Sequence, residues 1–263
     1  MLAAGIRRSD NPAVSVAVGS SSERGRGLFP ELAAQLAELG RRAHARGWAL
    51  GTSGNFSAVL SEQPLRLLIS ASGVDKGLLT PGQILEIDGE GASVSSVPVE
   101  PGRTLDGADR PSAETSLHLA VVRARRAGAV AHTHSLWSTL LSERHAGSGG
   151  LAIEGYEMLK GLDGVTTHEH REWLPIVENT QDWAREAPIV ERLLRERPDV
   201  HGFLIRRHGL YTWGRDVAET GRHLEILEFL LEVVGRSEAM GTRAAVGPCT
   251  TVDTSERPGG GDG

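Results

Sequence analysis

Two short extended runs, FSAVL at 56–60 and RLLIS at 66–70, follow each other with only turn-forming residues between them, and a third, ILEID, follows at 84–88. Connections that short return a strand against its neighbour, whereas a parallel partner needs a crossover of a dozen or more residues. The first hundred residues therefore open on antiparallel pairing. That argues against the regular strand–helix alternation of a dinucleotide-binding fold.

Helical and extended segments alternate around this opening. From Pro30 to about Arg46, Leu32, Leu36 and Leu39 recur at helical spacing, with Pro30 suited to a first turn and Gly47 to a stop. Ser112 to Arg126 reads as a second helix, with Pro111 and Ser112 at its start and Gly128 beyond its end. Val217, Leu224, Leu227 and Leu231 mark a long third. AVAHTHS at 129–135, LPIV at 174–177 and GFLIRR at 202–207 read as strands. The succession predicts one α/β domain with helices covering a mixed or largely antiparallel sheet. Residues 1–27 and 239–263, rich in Gly, Ser and charge, are expected to be flexible ends around a domain at 28–238.

Bulk properties narrow the function. The chain has 24% charged residues and a net charge of −6, so it offers no broad basic surface for nucleic acid, although a small anion needs only a local cluster of donors. No run is long enough to span a bilayer, and residues 1–14 lack the apolar stretch of a signal peptide. The single Cys249 excludes an intramolecular disulfide and fits a reducing, cytoplasmic setting.

His132 and His134 stand two apart in an apolar run, so a period of two turns both imidazoles to one side of the sheet, where they can grip one ion. Two ordinary polar histidines at a strand end would look the same. His208 closes another extended run directly before Gly209. Three imidazoles from two strands would leave one zinc position open for water or substrate. His168 and His170 share the two-residue spacing but sit among charged residues, as on a solvated loop; His44, His118 and His145 read as surface or packing histidines.

Four motifs in order, GTSGNFS at 51–57, ISASGVDKG at 69–77, RPSAET at 110–115 with HTHS at 132–135, and RRHGLYTWG at 206–214, resemble the class II aldolase and adducin family over roughly residues 28–238. Three further segments, SGVDKGLLTP at 72–81, EGYEMLKGL at 154–162 and LPIVENTQD at 174–182, are most similar to the family's sugar-phosphate dehydratase branch. The resemblance implies a three-layer α/β/α domain with a central, largely antiparallel sheet. It also implies one Zn2+ per subunit on His132, His134 and His208, and an acid/base role for Glu157. Glu114 falls where aldolases of the family keep a carboxylate near the metal. A small phosphorylated ketose is the implied substrate, its phosphate received by Gly54, Asn55, Ser72, Gly73 and Ser112, with Lys76 or Lys160 adding charge. Exposed backbone N–H groups and hydroxyls in such turns suit an anion, though each alone is only a turn.

The implied reaction removes a proton from C3, next to a C2 ketone, and expels the C4 hydroxyl, a step of methionine salvage. A sugar-phosphate aldolase or epimerase could use the same ion, and an adducin-like binding module could keep the fold without chemistry. The resemblance further implies a homotetramer with sites near subunit boundaries, to which Tyr211 could contribute.

Overall fold

The computed structural model describes residues 21–94 and 110–241. Its centre is an eight-stranded sheet in the order β3-β2-β1-β4-β8-β7-β6-β5. The strands are β1 (Asn55–Glu62), β2 (Leu65–Ser70), β3 (Ile84–Asp88), β4 (Ala129–Thr133), β5 (Gly150–Glu154), β6 (Arg171–Val177), β7 (Gly202–Ile205) and β8 (Gly209–Gly214). Adjacent strands are antiparallel except β6 and β7, which run parallel. The expected antiparallel opening is the β3-β2-β1 half, and β4, buried at all five positions, lies at its inner side.

Among the described residues five α-helices cover the sheet: α1 (Ser21–Ala45), α2 (Thr115–Arg125), α3 (Leu136–Arg144), α4 (Trp183–Glu196) and α5 (Val217–Ala239). The alternation of β4 assigns their sides. Thr133 Oγ1 donates to Glu228 of α5, and Thr220 of the same helix donates to the Ala129 carbonyl. From the opposite face His132 meets Glu114 at the head of α2, and α2 packs along α4. Helices α1, α3 and α5 thus form one outer layer, α2 and α4 the other, giving the three-layer arrangement. No described helix is long and apolar enough to cross a membrane.

Several boundaries differ from the sequence reading. Pro30 lies inside α1, not in its first turn; the helix continues towards its N-terminus, so the expected domain start at residue 28 falls within it. Most of both ends expected to be flexible, residues 1–20 and 242–263 with Cys249, lies outside the described residues. Helix α2 begins at Thr115, three residues after Ser112, because Ser112 is taken up by a turn: its carbonyl accepts from Thr115 N and its hydroxyl from Glu114 N. His170 is not on a solvated loop either, since its ring bonds the fully buried Glu172.

Candidate metal centre

His132 sits on the central strand with Asn55 of β1 opposite on one side and Tyr211 of β8 on the other. Its Nδ1 donates to the Leu210 carbonyl at 2.9 Å, which fixes the tautomer and leaves Nε2 with a free lone pair. Tyr211 stacks on the ring, with centroids 4.1 Å apart. His134 follows the end of β4, its amide donating to the Trp48 carbonyl at 2.7 Å before Ser135 caps α3. His208 stands in the tight turn between β7 and β8, after Arg207 at φ 54°. Gly209 is required next, because a Cβ there would lie 1.9 Å from the Thr133 carbonyl oxygen.

The three Nε2 atoms converge. His134 is 2.8 Å from His132 and 3.0 Å from His208, and His132 is 3.4 Å from His208. Glu114 closes the group, with Oε1 3.2 Å from His208 Nε2 and Oε2 3.4 Å from His132 Nε2. Burial, then the mutual charge of the rings, lowers His134 to about 3 and His132 well below the usual histidine range. Burial also lowers His208. At neutral pH these are neutral imidazoles, the form that ligates metals. Ligands on a tetrahedral zinc stand roughly 3.3 Å apart, so the spacing and donor type fit a divalent ion, which would relieve the repulsion between facing lone pairs.

A cleft of about 290 Å3 opens over this cluster. Its walls include Gly54, Asn55, Ser72, Gly73, Lys76 and Ser112, so the residues expected to receive a phosphate are gathered beside the histidines. Gly54 has φ +73°, and a Cβ would come within 2.8 Å of the His132 carbonyl oxygen. Lys76 departs from the usual exposed lysine. It is 1% exposed, and its Nζ donates to the carbonyls of Val74 at 2.8 Å and Thr52 at 3.2 Å. Desolvation, partly offset by Asp75, lowers it to about 8.

Asn55 ties the cleft wall to the cluster, donating to Glu114 Oε2 at 2.7 Å and to Ser112 Oγ at 3.0 Å. Its own amide oxygen accepts from His118 Nε2, and His118 Nδ1 accepts from the Ser57 hydroxyl at 2.7 Å. Of the two readings, surface or packing, His118 takes the second: it is fully buried, with burial lowering it to about 4. Its position four residues after Glu114 on α2 was the available signal, since that spacing shares a helix face. Gln181, within LPIVENTQD, and Trp183, directly after it, also line the cleft.

Glu157 lies elsewhere. It opens a short 3-10 turn at Glu157–Gly161, is 72% exposed, and pairs with Lys160 Nζ at 2.6 Å and His168 Nδ1 at 3.8 Å. The hydrogen bond from Lys160 lowers its carboxyl below the usual range. Neither Glu157 nor Lys160 lines the cleft within the chain.

The profile of the Class II Aldolase and Adducin N-terminal domain matches residues 34–234. The chain belongs to the class II aldolase and adducin family. Among its relatives is a methylthioribulose-1-phosphate dehydratase of Sorangium cellulosum (strain So ce56), 45% identical over 205 residues that cover 78% of this chain and 91% of the relative. Another of the same name, from Xanthomonas euvesicatoria pv. vesicatoria, is 46% identical over 197 residues, covering 74% and 84%. Solved structures of the class II aldolase fold agree. An L-fuculose-1-phosphate aldolase from Thermus thermophilus superimposes with a TM-score of 0.60 at 23% identity, over 81% of this chain and 96% of that one. An aldolase II superfamily protein from Pseudomonas syringae gives 0.63 at 22% identity, over 87% and 84%.

Proposed function

We propose that this class II aldolase family member is a zinc-dependent hydro-lyase that converts 5-methylthioribulose 1-phosphate to 2,3-diketo-5-methylthiopentyl 1-phosphate in methionine salvage. The observation that carries the reading is the 45% identity across 91% of a relative bearing the dehydratase name. The converging imidazoles of His132, His134 and His208 support it as the ion's holders. When bound there, zinc supplies Lewis acidity to the ketose oxygens as negative charge develops on them.

The chain's own residues then divide the remaining work. Lys76 and the turns at Gly54–Asn55 and Ser72–Gly73, with Ser112, receive the phosphate and hold the ketose over the cluster. Glu157 takes the C3 proton and returns it to the C4 hydroxyl, which leaves as water; the resulting enol rearranges to the diketone. Because Glu157 does not line the cleft of its own chain, this role requires it to enter the cleft of a second copy, in keeping with a homotetramer whose sites lie at subunit boundaries. Glu114 competes for the role, since it is the carboxylate beside the three imidazoles. A reducing cytoplasm suits the lone Cys249.

The deciding experiment incubates the purified protein with methylthioribulose 1-phosphate, with and without chelator. Diketone formed only without chelator is expected. Cleavage into an aldehyde and a ketone would instead make the chain an aldolase, and a folded, metal-free protein with no turnover would make it a binding module.

A further inference from the structure

A second set of ligand-type side chains lies apart from the cleft. His170, immediately before β6, Glu172 within it, and His201, immediately before β7, bring one nitrogen or oxygen each to within 4.8 Å of one another. Glu172 Oε2 is 2.9 Å from His170 Nε2 and 2.8 Å from His201 Nδ1. The carboxylate is fully buried, and its other oxygen accepts from the His201 amide at 2.8 Å. The remaining ring nitrogen of His201 stands 2.8 Å from the Asp163 carbonyl oxygen.

That last contact decides the electrostatics. A carbonyl cannot donate, so His201 Nε2 carries the proton and Nδ1 of a neutral ring turns a lone pair towards the carboxylate. Something positive must lie between them: a second proton or a metal ion. A ligating histidine that gives its other N–H to a backbone carbonyl is the usual way proteins orient an imidazole on a metal. Two imidazoles and a carboxylate make a three-ligand set for a borderline divalent ion such as zinc. The His170 side chain is 26% exposed, so the set is open to solvent on that side.

We propose that His170, Glu172 and His201 form a second site for a divalent transition metal, separate from the cleft cluster, that ties the start of β6 to the start of β7. The tie joins the sheet's one parallel pair, whose registered contact is only Ile176 with Leu204 and Val177 with Ile205.

The test strips the full chain with chelator, reloads it with zinc, dialyses it and measures bound metal. Two equivalents are expected for the wild type, one for His170→Ala, one for His134→Ala and none for the double variant. A single equivalent in the wild type, or two retained by His170→Ala, overturns the proposal and leaves the cluster holding protons. Should a variant fail to fold, cobalt(II) titration of the wild type decides: saturation at two equivalents with two sets of visible bands supports the second site, and saturation at one refutes it.

Discussion

Asn55 donates to Glu114 at 2.7 Å across the junction between β1 and the head of α2, and the same amide receives a hydrogen bond from His118. One neutral side chain thereby sets where the carboxylate beside the histidines points. Asn55→Ala removes both bonds and leaves His118 Nε2–H and Glu114 Oε2 without these partners. Hydrogen bonds to charged groups contribute about 1.5–3 kcal/mol, so turnover should fall roughly 10- to 100-fold. Bound metal should stay near the wild-type level; loss of metal in parallel with rate would show that Asn55 acts on the ligands instead.

His118 makes the fold sensitive to acid. Its pKa falls from an ordinary 6.5 to about 4 because burial disfavours the charged ring. The unfolded chain therefore binds the proton more readily, and stability present above pH 6.5 declines as pH falls towards 4, by on the order of 3 kcal/mol. His118→Leu should be less stable at pH 7 yet show a shallower decline over that interval. Urea denaturation at several pH values measures it, and an unchanged slope would refute the assignment.

Lys76 offers a charge that is nearly out of water. Lys76→Met should raise KM at least tenfold, with a smaller change in kcat, if the ammonium holds the substrate phosphate. Since its pKa lies at about 8, the ammonium is present below that pH and lost above it. kcat/KM should decline on the alkaline side and lose that limb in the variant.

Shared sites predict complementation. Glu157→Gln and His134→Ala should each be inactive, but co-refolded mixtures should recover roughly a quarter of wild-type activity, because random assembly pairs an intact cluster with an intact glutamate at that frequency. No recovery, together with an inactive Glu157→Gln, would mean that each chain completes its own site.

The apolar runs made β1, β2, β3, β4, β7 and the second half of β6 legible; β4 and β7, buried at every position, write an uninterrupted signal. The resemblance supplied the grouping of His208 with His132 and His134, which spacing left open. Other features depend on partners distant in sequence. Nothing near Lys76 announces that its ammonium will meet the Val74 and Thr52 carbonyls inside the molecule. Helix α4 did carry a signal, with Asp182 as its cap and Ala187, Val190 and Leu194 buried, but Pro188 in its first half obscures it. On the proposed shared site, the position of Glu157 relative to the cluster depends on assembly, on which a single chain's hydrophobic pattern is silent.

His132 and His208 are 76 residues apart in the chain, and everything from α3 to β7 lies between them. An ion gripping both is thus a removable cross-link around a long loop, and its binding energy is available only after that whole segment has been laid beside β4. The cluster acts as a checkpoint on assembly: chains misfolded between α3 and β7 should lose the ion held by His132 and His208, so its retention should report that this segment is in place.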